Sequence, residues 1–222
     1  MGWFKKKTYP NFWNDYLAHF KNKQDTAIES LRFIVFDTET TGLNPKEDRI
    51  LSIGTVAIEN NVIKISDSLE CYVIQDIFKN DTVKIHGILK AGNYKKIVEQ
   101  EALELFLNHV QNAVLVAHHA LFDVAMINAA LKRMGLGILK NRVLDLGHIY
   151  KKTDINRISK THVSLDELAE QFKIPQHDRH TASGDAYITA LLFLKIIAKY
   201  QLKKQINLHD LELPVLKIGL IL

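Results

Sequence analysis

The segment Phe33-Ile34-Val35-Phe36-Asp37-Thr38-Glu39-Thr40-Thr41-Gly42-Leu43 constrains this chain more than any other. Four apolar residues in a row, all β-branched or aromatic, read as a strand buried on both faces. Such a strand needs cover on both sides, which predicts an α/β domain with this strand near the centre of a sheet. Side chains alternate along a strand, so Asp37 and Glu39 project to the same side. Two carboxylates side by side at the end of a buried strand repel each other. A bound cation relieves that repulsion, and hard oxygen donors suit Mg²⁺ or Mn²⁺. The Thr-Thr-Gly that follows lets the backbone turn sharply and approach a ligand closely. Taken alone, the same residues also describe a solvated turn after a core strand.

The rest of the chain can be arranged around that strand. Its 222 residues, 47% of them hydrophobic, suffice for one sizeable core. They read as a domain over 32–200, an N-terminal helical extension over 1–31 and a C-terminal tail over 201–222. In the extension, Pro10 and Asn11 can open a helix with Phe12, Trp13, Tyr16, Leu17 and Phe20 on one face, expected to pack back on the domain. Strands are predicted near 32–37, 50–58 and 61–74, with Asn60-Asn61 as a hairpin turn. Helical spacing predicts helices near 95–110 and 121–134, with short strands at 114–117 and 143–144. The polar, basic stretch 151–162 reads as a loop. Ser164-Leu165-Asp166-Glu167 is a capping box opening a helix to about 172, and a long helix runs from about 182 to 199. Strands first and helices later predict a mixed central sheet flanked by helices, with a site at the carboxyl end of the first strand.

Composition narrows the setting. The balance of 29 basic against 25 acidic residues, formally +4, is compatible with a polyanionic partner. Cys71 is the single cysteine, so no intrachain disulfide is possible; it reads as a core filler in a reducing, cytoplasmic compartment. No apolar run approaches the ~20 residues of a membrane span. The start, Met1-Gly2-Trp3-Phe4-Lys5-Lys6-Lys7, lacks the apolar region of a secretory signal, and Lys6 breaks the myristoylation pattern.

Two further segments carry chemistry. In Val116-Ala117-His118-His119-Ala120-Leu121-Phe122-Asp123 a buried strand leads into a helix, with Asp123 in its first turn. In His180-Thr181-Ala182-Ser183-Gly184-Asp185 a histidine precedes the long helix and Asp185 lies near its start. Helix starts attract Asp for structural reasons, so neither segment alone is decisive. Asp145 and His148, lone residues nearby, read as structural.

The order is Asp-x-Glu on a strand, then Phe-Asp at a strand–helix junction, then His-x4-Asp on a late helix. Together these resemble the DEDDh 3′–5′ exonuclease superfamily over residues 32–199, particularly the branch of the proofreading epsilon subunits of bacterial DNA polymerase III. The resemblance implies an RNase H-like fold with a five-stranded mixed sheet. Asp37, Glu39, Asp123 and Asp185 would be ligands of two Mg²⁺ or Mn²⁺ ions, with His180 as general base. Thr40, Gly42, Leu43, His86, His119 and Phe122 would lie against substrate. Leu43 resembles the family's apolar residue that packs on the terminal base, and Ile85-His86-Gly87-Ile88 resembles its His-Gly-Ile segment. His119 departs from the family's usual Asn.

Two metals about 3.5–4 Å apart serve an in-line displacement at a phosphodiester. Asp37 would bridge them, and His180 would take the proton of the attacking water. The implied function is metal-dependent 3′→5′ release of nucleoside 5′-monophosphates from DNA, preferably from single-stranded or frayed 3′ ends. A DNA polymerase is the implied protein partner. The alternatives are 3′–5′ trimming of RNA and a non-catalytic nucleic-acid-binding module. Gln205-Ile206-Asn207-Leu208-His209 faintly resembles a sliding-clamp-binding pentapeptide but lacks the terminal aromatic residue. It is expected to fold back rather than bind a clamp.

Overall fold

The computed structural model describes residues 8–22, 25–77, 79–89, 94–153 and 162–212. Strands β1 (Phe33–Thr40), β2 (Ile50–Glu59) and β3 (Val62–Val73) form an antiparallel meander. Asn60 and Asn61, at φ 52° and 60°, make the predicted hairpin turn between β2 and β3. Strands β4 (Lys96–Ile97), β5 (Val114–Ala117) and β6 (Val143–Asp145) complete a mixed six-stranded sheet in the order β4-β3-β2-β1-β5-β6. β1 lies inside it, antiparallel to β2 and parallel to β5.

The helices are α1 (Asn11–Ala18), α2 (Asn80–His86), α3 (Glu99–Val110), α4 (Ala120–Arg133), α5 (Leu146–Lys152), α6 (Leu165–Phe172), α7 (Ala182–Gln201) and α8 (Leu208–Leu211). The alternation in β1 divides the core. Phe33 and Val35 pack with residues of α5, α6, α7 and α8. Ile34 and Phe36 pack with residues of α1, α3 and α4. Both faces are therefore covered, as the unbroken apolar run requires.

The architecture is the expected α/β one, with local differences. The sheet has six strands rather than five, because Lys96 and Ile97 pair in parallel with Tyr72 and Val73 before α3 begins at Glu99. Two residues are too few for strand periodicity to show within a helical stretch. Helices α2, α5 and α8, of seven, seven and four residues, were not expected for the same reason. Lys151 and Lys152 end α5, which corrects the loop reading there; 154–161 lie outside the described residues.

Helix α1 packs back as expected, burying Phe12, Trp13 and Tyr16. The start of the tail also folds back: Ile206, Leu208 and Leu211 are buried in the α7-side core, and Asn207 caps α8. Those side chains of the clamp-like pentapeptide are committed to the fold. The Leu213-Pro214-Val215-Leu216 segment lies outside the described residues. Among the described residues no helix is long and apolar enough to cross a membrane.

Candidate active site

The carboxyl end of β1 meets the start of α7 through one glycine. Asp37 pairs with Gly54 across β1 and β2. A Cβ at Gly54 would sit 2.2 Å from Ala182 C and Ser183 N, so only glycine lets the helix press onto the sheet here. Thr181 caps the helix, its hydroxyl accepting from Gly184 N at 3.1 Å. Asp185 in the first turn is thereby brought to the strand end. Asp37, Glu39 and Asp185 each offer one carboxylate oxygen, and these lie within 4.8 Å of one another.

Asp123 approaches from α4 on the other side of the strand. It is 3% exposed and accepts two hydrogen bonds from Thr38, from N at 3.1 Å and from Oγ1 at 2.6 Å. It stands outside the tight trio, yet among the charges acting on Asp37 its effect is the largest. All four predicted acids therefore converge, three as a cluster and one as its buttressed neighbour.

The electrostatics are those of several carboxylates sharing one nearby cation, Arg179. Burial, then repulsion from Asp123, Asp185 and Glu39, holds the Asp37 carboxyl well above its ordinary pKa. Burial, then Asp185 and Asp123, pushes Glu39 up to about 7. Burial likewise pushes Asp123 to about 7, against the two bonds from Thr38. Arg179 opposes the rise at both Asp37 and Glu39. Its Nη1 donates to Asp185 Oδ2, and its Nε donates to Asp166 Oδ1 on α6 at 2.6 Å. The second oxygen of Asp185, Oδ1, is buried with no hydrogen-bond partner among the described residues. Clustered hard oxygen donors, one of them an unsatisfied acceptor, fit a divalent cation such as Mg²⁺ or Mn²⁺.

The turn after β1 is cross-braced. Thr40 Oγ1 donates to Gly42 O at 2.8 Å, and Thr41 Oγ1 to Asp48 Oδ1 at 2.9 Å. A Cβ on Gly42 would lie 2.5 Å from Asp48 Oδ2, so glycine is required where the buried Asp48 folds under the turn. Leu43 then stands 83% exposed, an apolar side chain presented to solvent beside the acids. Lys79 Nζ pairs with Asp48 Oδ1 at 2.6 Å and ties the start of α2 to this turn. His86, at the end of α2, is buried; its Nδ1 accepts from Ile88 N at 3.0 Å, and its Nε2 has no partner among the described residues.

His119 occupies the N-cap position of α4 with φ 63°. Histidine, like Asn and Asp, is enriched in the left-handed region, which suits it to this position. Its ring lies 4.3 Å from that of His118. Phe122 is partly buried and packs against the α4-side core. Asp145 caps α5, accepting from His148 N at 2.8 Å, and also accepts from Ala120 N at 2.9 Å.

His180 is not drawn into the carboxylate cluster. It is exposed, at φ 62°, directly before the α7 cap, and its charge bears on Asp166. Its neighbour Arg179 turns inward instead. The sequence reading missed Arg179, Thr38, Asp48 and Lys79. The available signals were a charged run, Asp178-Arg179-His180, and a hydroxyl between two strand-end acids.

Residues 34–193 match the exonuclease (RNase T) family. A DNA polymerase III PolC-type protein of Caldanaerobacter subterraneus subsp. tengcongensis is 38% identical over 184 residues, covering 81% of this chain but only 12% of that protein. The DNA polymerase III subunit epsilon of Treponema pallidum is 31% identical over 189 residues, covering 85% of this chain and 87% of the relative. Escherichia coli exonuclease I, solved in complex with a dT13 oligonucleotide, superposes with a TM-score of 0.67 at 16% identity, over 78% of this chain and 42% of that one. That likeness establishes a shared fold.

Proposed function

The chain belongs to the exonuclease family, and within it we propose a metal-dependent 3′→5′ exonuclease that removes nucleoside 5′-monophosphates from DNA 3′ ends. The observation that carries this reading is the convergence of Asp37, Glu39 and Asp185 within 4.8 Å, with Asp123 alongside. Asp37, Glu39, Asp123 and Asp185 would hold two Mg²⁺ or Mn²⁺ ions. When bound, such ions supply charge stabilisation for an in-line displacement and lower the pKa of water.

The chain's own residues do the rest. His180, exposed on the left-handed turn directly before α7, would swing toward the acids when substrate binds and accept the proton of the attacking water. The water oxygen bonds to phosphorus, and the 3′ oxygen of the penultimate nucleotide leaves. Exposed Leu43 packs on the terminal base, and His86 lies on the helix braced to that turn. Apolar stacking tolerates any base, so little sequence preference is expected. The epsilon-named relative supports work beside a DNA polymerase.

The test uses 5′-labelled single-stranded DNA, duplex DNA and RNA of matched sequence, with Mg²⁺ or Mn²⁺, for wild type and Asp37→Ala. The expected result is a descending ladder, fastest on single-stranded DNA and absent in Asp37→Ala. Full activity in excess EDTA, immediate release of labelled mononucleotide, or cleavage of a closed circular strand would overturn the reading. Preference for RNA would move the substrate and keep the chemistry.

A further inference from the structure

The sheet carries a row of side chains away from the acids. Glu39 pairs with Ser52, Ser52 with Tyr72, and Tyr72 with Lys96, across β1, β2, β3 and β4. Paired residues project to the same face, so Tyr72 and Lys96 share the face of Asp37 and Glu39. Helix α7 covers the neighbouring row, at Gly54, and its Ser183 hydroxyl donates to Glu70 on β3. Tyr72 lies one row beyond, where the helix has not yet begun. Two strand spacings separate it from Glu39, roughly 10 Å.

Tyr94 stacks on Tyr72 with ring centroids 3.9 Å apart and planes 12° from parallel. Tyr94 remains 48% exposed, so the pair adds little to the core. Two lysines follow it: Lys95 is exposed, and Lys96 Nζ donates to Leu89 O. Leu89 is itself 56% exposed and directly follows the His86-Gly87-Ile88 segment. An open aromatic face with a lysine in register beside it, on the face of the acidic site, has the two elements that single-stranded nucleic acid requires.

We propose that the Tyr72–Tyr94 pair is a stacking platform for a base of the single-stranded substrate upstream of the nucleotide being removed, with Lys96 meeting its phosphates. This rests on the exonuclease reading. A separation of roughly 10 Å exceeds one stacked step of about 3.4 Å, which places the stacked base on the order of two or three nucleotides from the 3′ end.

The experiment measures binding of labelled oligo-dT by fluorescence anisotropy, with Ca²⁺ replacing the activating cation, for wild type, Tyr94→Ala and Tyr94→Phe. Tyr94→Ala should bind about 5- to 150-fold more weakly, and Tyr94→Phe should stay near wild type because it keeps the ring. With 2-aminopurine moved stepwise from the 3′ end, emission should be quenched at one upstream position in wild type and not in Tyr94→Ala. Equal affinities for wild type and Tyr94→Ala, or the same quenching in both, would overturn the platform. Cleavage by the wild type in Mg²⁺ is measured in parallel. A wild type that neither binds nor cleaves overturns the exonuclease reading itself, whereas one that cleaves while Tyr94→Ala binds equally well refutes only the platform.

Discussion

The raised carboxyl pKa values make stability without metal depend on pH in a defined direction. Glu39 carries a pKa of 4.5 in the unfolded chain and about 7 in the fold. The fold therefore favours its neutral form. That contribution is complete below pH 4.5 and is lost as pH rises through 7. A rise of this size corresponds to about 3 kcal/mol. In a chain of 222 residues, that shifts the melting temperature by roughly 6–12 °C.

Histidines act oppositely at the acid end. Burial holds His86, His109 and His118 below their ordinary pKa, so the unfolded chain binds protons first and stability rises with pH there. Comparison with Glu39→Gln removes that background, because both proteins carry the same histidines. The assay is thermal unfolding in EDTA from pH 4.5 to 8. Wild type should fall progressively below Glu39→Gln over that range. Saturating Mg²⁺ should restore wild type most at the alkaline end, since it binds the ionised cluster and stabilises by mass action. Parallel curves for the two proteins in EDTA, or a Mg²⁺ gain equal in both, would refute the claim that these acids repel one another in the fold.

Other substitutions test separate parts of the site. Thr38→Val removes the hydroxyl's hydrogen bond to the buried Asp123 and keeps the one from the backbone N–H; stability in denaturant titration should drop by about 1–3 kcal/mol, with a loss of nuclease rate. Gly54→Ala forces a Cβ into the α7 backbone; exonuclease activity should fall sharply together with the melting temperature, and a fully active, equally stable variant would show that the close approach is dispensable. His180→Ala should keep metal and DNA binding while losing about 10²–10⁴-fold in rate, along with the acid limb of the pH–rate profile. A rate within a fewfold of wild type would remove His180 from the chemistry.

The sequence was most legible where one period dominates. The four apolar residues of β1, the Asn-Asn hairpin, the capping box at Ser164 and the long α7 all appear within a few residues of their expected bounds. Asp37, Glu39, Asp123 and Asp185 converge because their positions are set by strand ends and helix starts, which pattern alone locates. Elements shorter than two turns, such as α2 and α5, carry no detectable period. Long-range partners were also hidden. Nothing local marks Gly54 as the seat of α7, or Lys79 as the partner of Asp48 thirty-one residues away. Such pairings become visible only once the sheet register is known.

Side-chain direction in the α6–α7 connection shows the same limit at closer range. Spacing places His180 five residues before Asp185 and cannot say which member of Asp178-Arg179-His180 turns inward. In the fold the demand is electrostatic. Asp37, Glu39, Asp123 and Asp185 face one another at low exposure, and a permanent cation relieves them. Arg179 fills that place. It holds Asp185 through Oδ2 and leaves Oδ1 without a partner among the described residues. The contact therefore orients the carboxylate and still leaves one of its oxygens available to a metal. By gripping Asp166 with its other nitrogen, Arg179 also fixes the start of α6 to the start of α7. His180 sits between those two anchors, on a turn held at both ends.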